Sequence, residues 1–334
     1  MRVVLVAPSR SDPAHARVLR SLGSSLRAAG DDVYLFPPSG RRSGLSAALE
    51  RLLRQKEIDV CHVHCFSRRV GFPRRVRLPA RTALIVTHQG ASLDLLDDRD
   101  ELLRLARRAD AVTSVSRAGS KELKALRLRR ATLAIPNGAE PGPASRAPGR
   151  RAEDFILTVG RLAAYKGTDV LLMAFAALAE SEPGLRLVVC GPDQSAGRLP
   201  RFAAALRLGR RARFPGAVGP RRVDSLLGSC RFFVLPSRDE NMPMALLEAM
   251  ARGKAVIAAR VGGVAEAVTH GVDGLLVPPN DVKALTRAMR LLCRDARLRA
   301  RLGRRARETA RRFEWGSVAR RYRRLYAEVA AARR

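Results

Sequence analysis

Residues Glu240-Asn-Met-Pro-Met-Ala-Leu-Leu-Glu248 decide how this chain is read. They follow an apolar run, Phe232-Phe233-Val234-Leu235-Pro236-Ser237, and precede Ala249-Met250-Ala251-Arg252-Gly253-Lys254-Ala255-Val256-Ile257. The order is strand, loop, helix, glycine stop, strand, which is the repeating unit of a parallel α/β sheet. Asn241 suits an N-cap, and Pro243 suits the first or second helical position. The amides of Met244 and Ala245 then lack intrahelical partners and favour an anion such as phosphate. Glu240 falls in the loop before the helix, and Glu248 almost two turns inside it. A carboxylate accepts two hydrogen bonds side by side, so Glu248 suits a vicinal diol such as a ribose, and Glu240 the hydroxyls of a sugar. Two acids at this spacing are also common on the solvated face of an amphipathic helix, so the surroundings have to decide.

A length of 334 residues predicts about two domains, and an apolar fraction of 46% is ample for two cores. The sequence holds no apolar run long enough to span a membrane. Its first residues, Met1-Arg-Val-Val-Leu-Val-Ala-Pro8, are too short for the core of a signal peptide and read as a first buried strand. A cytoplasmic location follows. The five cysteines lie mostly in apolar runs, as buried thiols do in a reducing compartment. The net charge of +32 comes almost wholly from arginine, a skew that genomic base composition produces as readily as attraction to a polyanion.

In the first half, apolar runs at Val3–Ala7, Val33–Phe36, Val60–His64, Ala83–Thr87, Ala111–Val115 and Thr132–Ile135 alternate with helical stretches such as Ala16–Ala29 and Leu45–Gln55. The Pro- and Gly-rich residues 141–150 read as a linker. The pattern then restarts, with strands expected at Phe155–Val159, Leu185–Cys190, Phe232–Leu235, Ala255–Ala258 and Leu275–Val277, and a basic helical end from Lys283. The expected architecture is α/β: two Rossmann-like, doubly wound domains facing a central cleft. The first spans 1–140 and the second 151–314, with a last helix in 315–334 crossing back to the first. Ligands of such sheets bind beyond the carboxyl ends of the strands.

Several further segments carry chemistry. In Val159-Gly160-Arg161-Leu-Ala-Ala-Tyr-Lys166-Gly167, two cations leave a strand end between glycines, suited to neutralising a diphosphate or equally to solvation in a basic chain. Gly191 follows a strand in a sharp turn, and Gly262-Gly263 follows another, where the backbone can approach a ligand. Thr87-His88-Gln89-Gly90 ends a first-half strand and points His88 towards the cleft. Cys61-His-Val-His-Cys65 does not make a zinc site. Strand alternation sends Cys61, Val63 and Cys65 to one face, and His62 and His64 to the other. Asp98-Arg-Asp100 falls at a helix start, so it is not taken as a metal-binding acid pair.

Together these segments resemble the retaining glycosyltransferases of GT-B fold in family four, the glycosyl transferases group 1. The resemblance rests on Gly160-Arg161…Lys166-Gly167, Val189-Cys-Gly191, Pro236-Ser237…Glu240…Glu248…Gly253, Val261-Gly-Gly263-Val-Ala-Glu266 and His270-Gly-Val-Asp-Gly-Leu-Leu-Val277. In the first half it rests on His62-Val-His64, Thr87-His88, Ser114-Val-Ser116 and Ile135-Pro-Asn137-Gly138. It implies sugar transfer from a nucleotide-diphosphate sugar, uridine or guanosine, to a hydroxyl acceptor, with retention and without metal or resident cofactor. By the same resemblance Glu248 holds the donor ribose, and Glu240 the transferred sugar with the Asn241, Met242, Pro243, Met244 and Ala245 turn. Arg161 and Lys166 stabilise the diphosphate, His88 contacts the donor sugar, and Gly160, Gly191 and Gly263 line the donor. Polysaccharide, glycolipid or glycoconjugate biosynthesis is the implied setting.

Three features depart from the family pattern. The turn after the first strand reads Pro8-Ser-Arg10-Ser-Asp-Pro13 in place of a glycine pair. Asn241-Met242-Pro243-Met244 replaces the usual Gly and Phe, and the first half is short. The arginine-rich segment Arg68–Arg81, carrying Phe72, suits an anionic membrane surface and a lipid-linked acceptor. The alternative readings are a basic polyanion-binding protein or an inactive homologue of the fold. An aromatic fraction of 4% argues against nucleic acid, which needs stacking rings among its basic residues.

Overall fold

The structure is a computed structural model that describes residues 1–6, 13–36, 45–65, 76–90, 99–126, 132–142 and 154–334. Most of the altered turn after the first strand, the 68–75 part of the basic segment, and most of the linker lie outside them. The chain divides into two compact units, Met1–Gly138 with Phe313–Arg334, and Ala139–Arg312.

The first unit opens with β1 (Arg2–Val6), α1 (Pro13–Ala28), β2 (Asp32–Phe36), α2 (Leu45–Gln55), β3 (Val60–Cys65) and β4 (Ala83–His88). It continues with α3 (Arg99–Arg108), β5 (Ala111–Ser114), α4 (Arg117–Ala125) and β6 (Thr132–Ala134). The strands form one parallel sheet, ordered β2-β1-β3-β4-β5-β6. Alternation within β3 and β4 sorts their side chains between the two faces. Cys61, Val63, Cys65, Leu84 and Val86 join Leu49, Leu53 and Leu102 in one core, leaving His62, His64 and Thr87 on the other face.

The second unit comprises β7 (Phe155–Val159), α5 (Thr168–Ala179), β8 (Arg186–Cys190), α6 (Arg198–Ala205), β9 (Ala212–Gly216) and α7 (Pro220–Ser229). After these come β10 (Phe232–Leu235), α8 (Met244–Ala251), β11 (Val256–Ala259), α9 (Val264–Ala267), β12 (Leu275–Val277), α10 (Val282–Arg294) and α11 (Ala296–Ala310). Its sheet is also parallel, ordered β12-β11-β10-β7-β8-β9. Ile156, Phe232, Val234 and Ile257 pack with Leu171, Phe175, Met289 and Leu292 of α5 and α10. The intervening Leu157, Phe233 and Val256 are buried as well, so both faces are covered. The last helix, α12 (Trp315–Ala331), belongs to the first unit and packs on α1.

The fold class is therefore α/β, with two all-parallel six-stranded sheets and flanking helices. Two local expectations need correction. The sequence pattern predicts five strands in the second half, whereas six form. The missed strand, β9, is a half-exposed edge strand containing Pro215, and such a strand lacks the continuous apolar run of its neighbours. The helix after Glu240 is capped at Pro243 (φ −74°, ψ 115°), not at Asn241, and starts at Met244. Glu248 is consequently its fifth residue, little more than one turn in.

Candidate active site

The strand order of the second unit reverses between β7 and β10, which neighbour each other although β8 and β9 separate them in sequence. At such a switch point the loops leaving the strand ends diverge to opposite faces and open a crevice. The loop from β7 carries Gly160, Arg161 and Lys166, and the loop from β10 carries Pro236 to Asn241. A recess at this point is lined by Thr158, Gly160, Arg161, Lys166, Val189 and Ser237. A second concavity on the same unit, between the Gly271–Val272 turn and Arg301, Arg304, Arg305 and Glu308 of α11, is wider. It holds neither strand ends nor a helix start, so the chemistry is better sought at the switch point.

Two glycines bring the cationic and acidic loops together. Gly167 closes the Ala164–Lys166 turn in the left-handed conformation (φ +64°), and a Cβ there would lie 2.1 Å from the Pro236 carbonyl oxygen. The close approach delivers Lys166 to Glu240, whose Oε1 accepts from Lys166 Nζ at 2.6 Å and from Ser237 Oγ at 2.8 Å. The Lys166 and Glu240 side chains are 18% and 7% exposed, so the pair is shielded enough for its charges to matter. Lys166 Nζ also lies 5.1 Å from the centre of the Tyr165 ring.

The Glu240 backbone is held from the other side by the glycine pair. Gly263 N donates to Glu240 O at 3.2 Å, and Gly262 (φ +44°) would place a Cβ 1.7 Å from the same oxygen. Of the pair, Gly262 is the position that only glycine tolerates. Gly262→Ala is expected to lower the stability of the second unit by about 2–3 kcal/mol, from the left-handed backbone and the displaced loop together. Thermal melting of the variant checks this, and an unchanged midpoint would contradict the packing described.

Asn241, Met242 and Pro243 are buried, whereas Met244 and Ala245 are half-buried. Pro243 O accepts from Leu246 N and Leu247 N, so the helix itself makes no use of the amides of Met244 and Ala245. Glu248 is 6% exposed, on a helix that otherwise buries Leu246, Leu247, Ala249 and Met250. Gly160 and Gly191 lie at the ends of β7 and β8. Gly160 N donates to Cys190 O at 2.9 Å, and Gly191 N to Gly216 O at 2.9 Å. The second unit thus brings together Arg161, Lys166, Glu240, the start of α8 and the Gly262–Gly263 turn. His88 belongs to the first unit, where it ends β4, buried and paired in register with Cys65 and Ser114.

Sequence reasoning assigned no role to Ser237, Arg238 or Asp169. Arg238 donates to both carboxylate oxygens of Asp169, from Nη1 at 2.8 Å and from Nη2 at 2.6 Å. Burial would raise the Asp169 carboxyl, but the hydrogen bonds and charge of Arg238 outweigh it and hold the group below its usual range. The two residues are far apart in sequence, and no motif spacing points to them.

In the first unit, His62 is hydrogen-bonded to Tyr326 Oη at 2.7 Å and to Thr87 Oγ1 at 2.6 Å, and Gln89 Nε2 donates to His64 Nδ1 at 2.6 Å. The two imidazoles therefore serve a buried network beneath α12, with Cys61 and Cys65 on the opposite face. Among the described residues no three His, Cys, Asp or Glu side chains converge, and no helix is long and apolar enough to cross a membrane.

Comparison with known proteins bears on the family and the fold. The family described as "Glycosyl transferases group 1" matches residues 145–309, and "Glycosyltransferase Family 4" matches residues 1–142. The chain belongs to the glycosyl transferases of group 1, family four, with the GT-B fold. A D-inositol 3-phosphate glycosyltransferase of Corynebacterium efficiens is 34% identical over 180 residues, 52% of this chain and 42% of that protein. The chain spans less than half the length of the curated relatives it matches. Among solved structures, a sucrose-phosphate synthase of Thermosynechococcus elongatus is 22% identical with a TM-score of 0.84, covering 99% of this chain and 100% of that one. HepE of Anabaena, solved with UDP, is 19% identical with a TM-score of 0.77, covering 98% and 100%. At these identities the two structures speak for the fold.

Proposed function

We propose that the protein is a cytoplasmic, retaining, metal-independent glycosyltransferase that moves a sugar from a uridine or guanosine diphosphosugar to an acceptor hydroxyl. The observation that carries this reading is the Lys166–Glu240 pair at the sheet's switch point, beside the open amides of a helix start. The cations and amide dipoles there suit the diphosphate of a nucleotide sugar, and the carboxylates suit its ribose and sugar hydroxyls. The diphosphate lies against Arg161, Lys166 and the amides of Met244 and Ala245. The ribose diol binds Glu248, and the sugar hydroxyls bind Glu240.

No enzymatic nucleophile is required. The bond between the anomeric carbon and the phosphate oxygen breaks, and the acceptor oxygen bonds to that carbon on the same face. The acceptor proton passes to the departing phosphate. Negative charge grows on the diphosphate as the bond breaks, so preorganised positive charge lowers the barrier. The binding of UDP by HepE supports a uridine donor over a guanosine one.

The test is a metal-free screen of uridine, guanosine, adenosine and thymidine diphosphosugars for binding and slow hydrolysis, on wild type and Glu248→Ala. One donor should bind to wild type and bind at least about tenfold more weakly to the variant, as expected when a charged hydrogen-bond partner is removed. Folded wild-type protein that binds none of them would overturn the reading.

A further inference from the structure

Arg238 ties together the C-terminal ends of three strands of the second unit. Its backbone N donates to Tyr165 O at 2.7 Å, and its Nη1 also reaches Ala164 O, both in the turn after β7 that ends in Lys166. Its fork grips Asp169 in the first turn of α5, the helix that follows that turn. Its Nε donates at 2.7 Å to Asn280 Oδ1, in the loop after β12. Arg238 itself stands in the loop after β10, two residues before Glu240.

We infer that Arg238 is a positioning residue. It fixes the Lys166 turn against the Glu240 loop, and so sets where the ammonium meets the donor diphosphate. The inference deepens the proposed reaction and rests on that reading. The planar fork is what the task needs. Two parallel bonds to Asp169 fix direction as well as distance, and Nε and the backbone N reach two further segments at once. A half-exposed ion pair contributes little to stability by itself. Here, however, both loops end in the groups that face the substrate, so a small rotation of either moves Lys166 relative to the bond that breaks.

The experiment compares wild type, Arg238→Ala, Arg238→Lys, Asp169→Asn and Arg238→Ala/Asp169→Asn. Each is measured for donor turnover, and for the rate at which an acylating reagent labels Lys166, read by peptide mass spectrometry with Lys283 as the internal standard. Arg238→Ala should lose about 10- to 100-fold in kcat with the donor KM within about threefold of wild type, because position is lost and ground-state binding is kept. Lys166 should label several-fold faster, roughly as an exposed amine does. Arg238→Lys keeps the charge without the fork and should stay impaired even if the alanine variant fails to fold. The double variant should be no worse than Arg238→Ala, since both remove one interaction. Sub-denaturing guanidinium should restore part of the alanine variant's turnover, which a general loss of stability would not allow.

Unchanged turnover and unchanged Lys166 labelling in Arg238→Ala would overturn the inference, as would a lowered melting point with kcat intact. If wild type turns over no nucleotide sugar while Lys166 labelling still responds to Arg238, the proposed reaction fails and the positioning link stands.

Discussion

Lys166→Ala is expected to lower kcat for the donor sugar by about 100- to 1000-fold while changing its KM only several-fold. The Lys166 ammonium is bonded to Glu240. A bound diphosphate competes for that ammonium, and the contest tips as the bond to the sugar breaks and charge collects on the leaving phosphate. The interaction is therefore stronger in the transition state than in the ground state, and its loss appears in kcat. A stability effect accompanies it, because Glu240 keeps the Ser237 bond and loses its counter-ion while remaining 7% exposed. Uncompensated, that costs about 1–3 kcal/mol, so turnover has to be expressed per folded molecule. Lys166→Arg keeps a charge and should recover part of the rate, not all of it, since the fork does not occupy the point the ammonium does. Stopped-flow or single-turnover donor hydrolysis on the three proteins decides the matter. Turnover of Lys166→Ala within about threefold of wild type would show that another cation carries the leaving-group charge.

How much of this was legible in the sequence depends on how local each cause is. Buried parallel strands announce themselves as short apolar runs, and all six strands of the first sheet lie where those runs are. The alternation of Cys61, His62, Val63, His64 and Cys65 fixed their faces, since period two is a property of the strand alone. The edge strand β9 had no such signal, because one side of it stays wet. At Glu240 the order of strand, loop and helix was legible and the cap was not. Asn241 has the better intrinsic cap propensity, but the loop is fastened by the Gly262–Gly263 turn, and this tertiary bond moves the helix start to Met244. Lys166 and Glu240 were each singled out by a resemblance in motif order, but their pairing, like that of Arg238 with Asp169, depends on two loops meeting in space. A single sequence carries no trace of such a meeting.

The first unit should lose stability steeply as pH falls below about 6.5, because two histidines are buried uncharged beneath α12. Burial, and then the charge of His64, push the His62 imidazole well below its ordinary value. Burial alone lowers His64 from 6.5 to about 3. Their rings are 4.0 Å apart, so protonating one makes the second harder to charge. The native state thus binds fewer protons than the unfolded chain at any pH between the folded and unfolded values. Stability is full above about 6.5 and falls as the pH drops through that window, by about 1.4 kcal/mol per pH unit for each histidine. At pH 5 His64 alone removes about 2 kcal/mol, and His62 adds in the same direction. Carboxylates shift the balance only at lower pH, so the range from pH 7 to 5 isolates the imidazoles. The chain's one tryptophan, Trp315, starts α12 in this same unit, where its ring packs on Gly138. Its fluorescence in urea therefore follows this unit even if the two units unfold separately. The midpoint should fall between pH 7 and 5 in wild type, and should depend less on pH in His62→Gln/His64→Gln, which lacks these two imidazoles and keeps the buried His88 of the same unit. A wild-type midpoint that stays level across that range would mean the imidazoles are solvated, and with that the network joining His62 to Tyr326 and Thr87 would not stand.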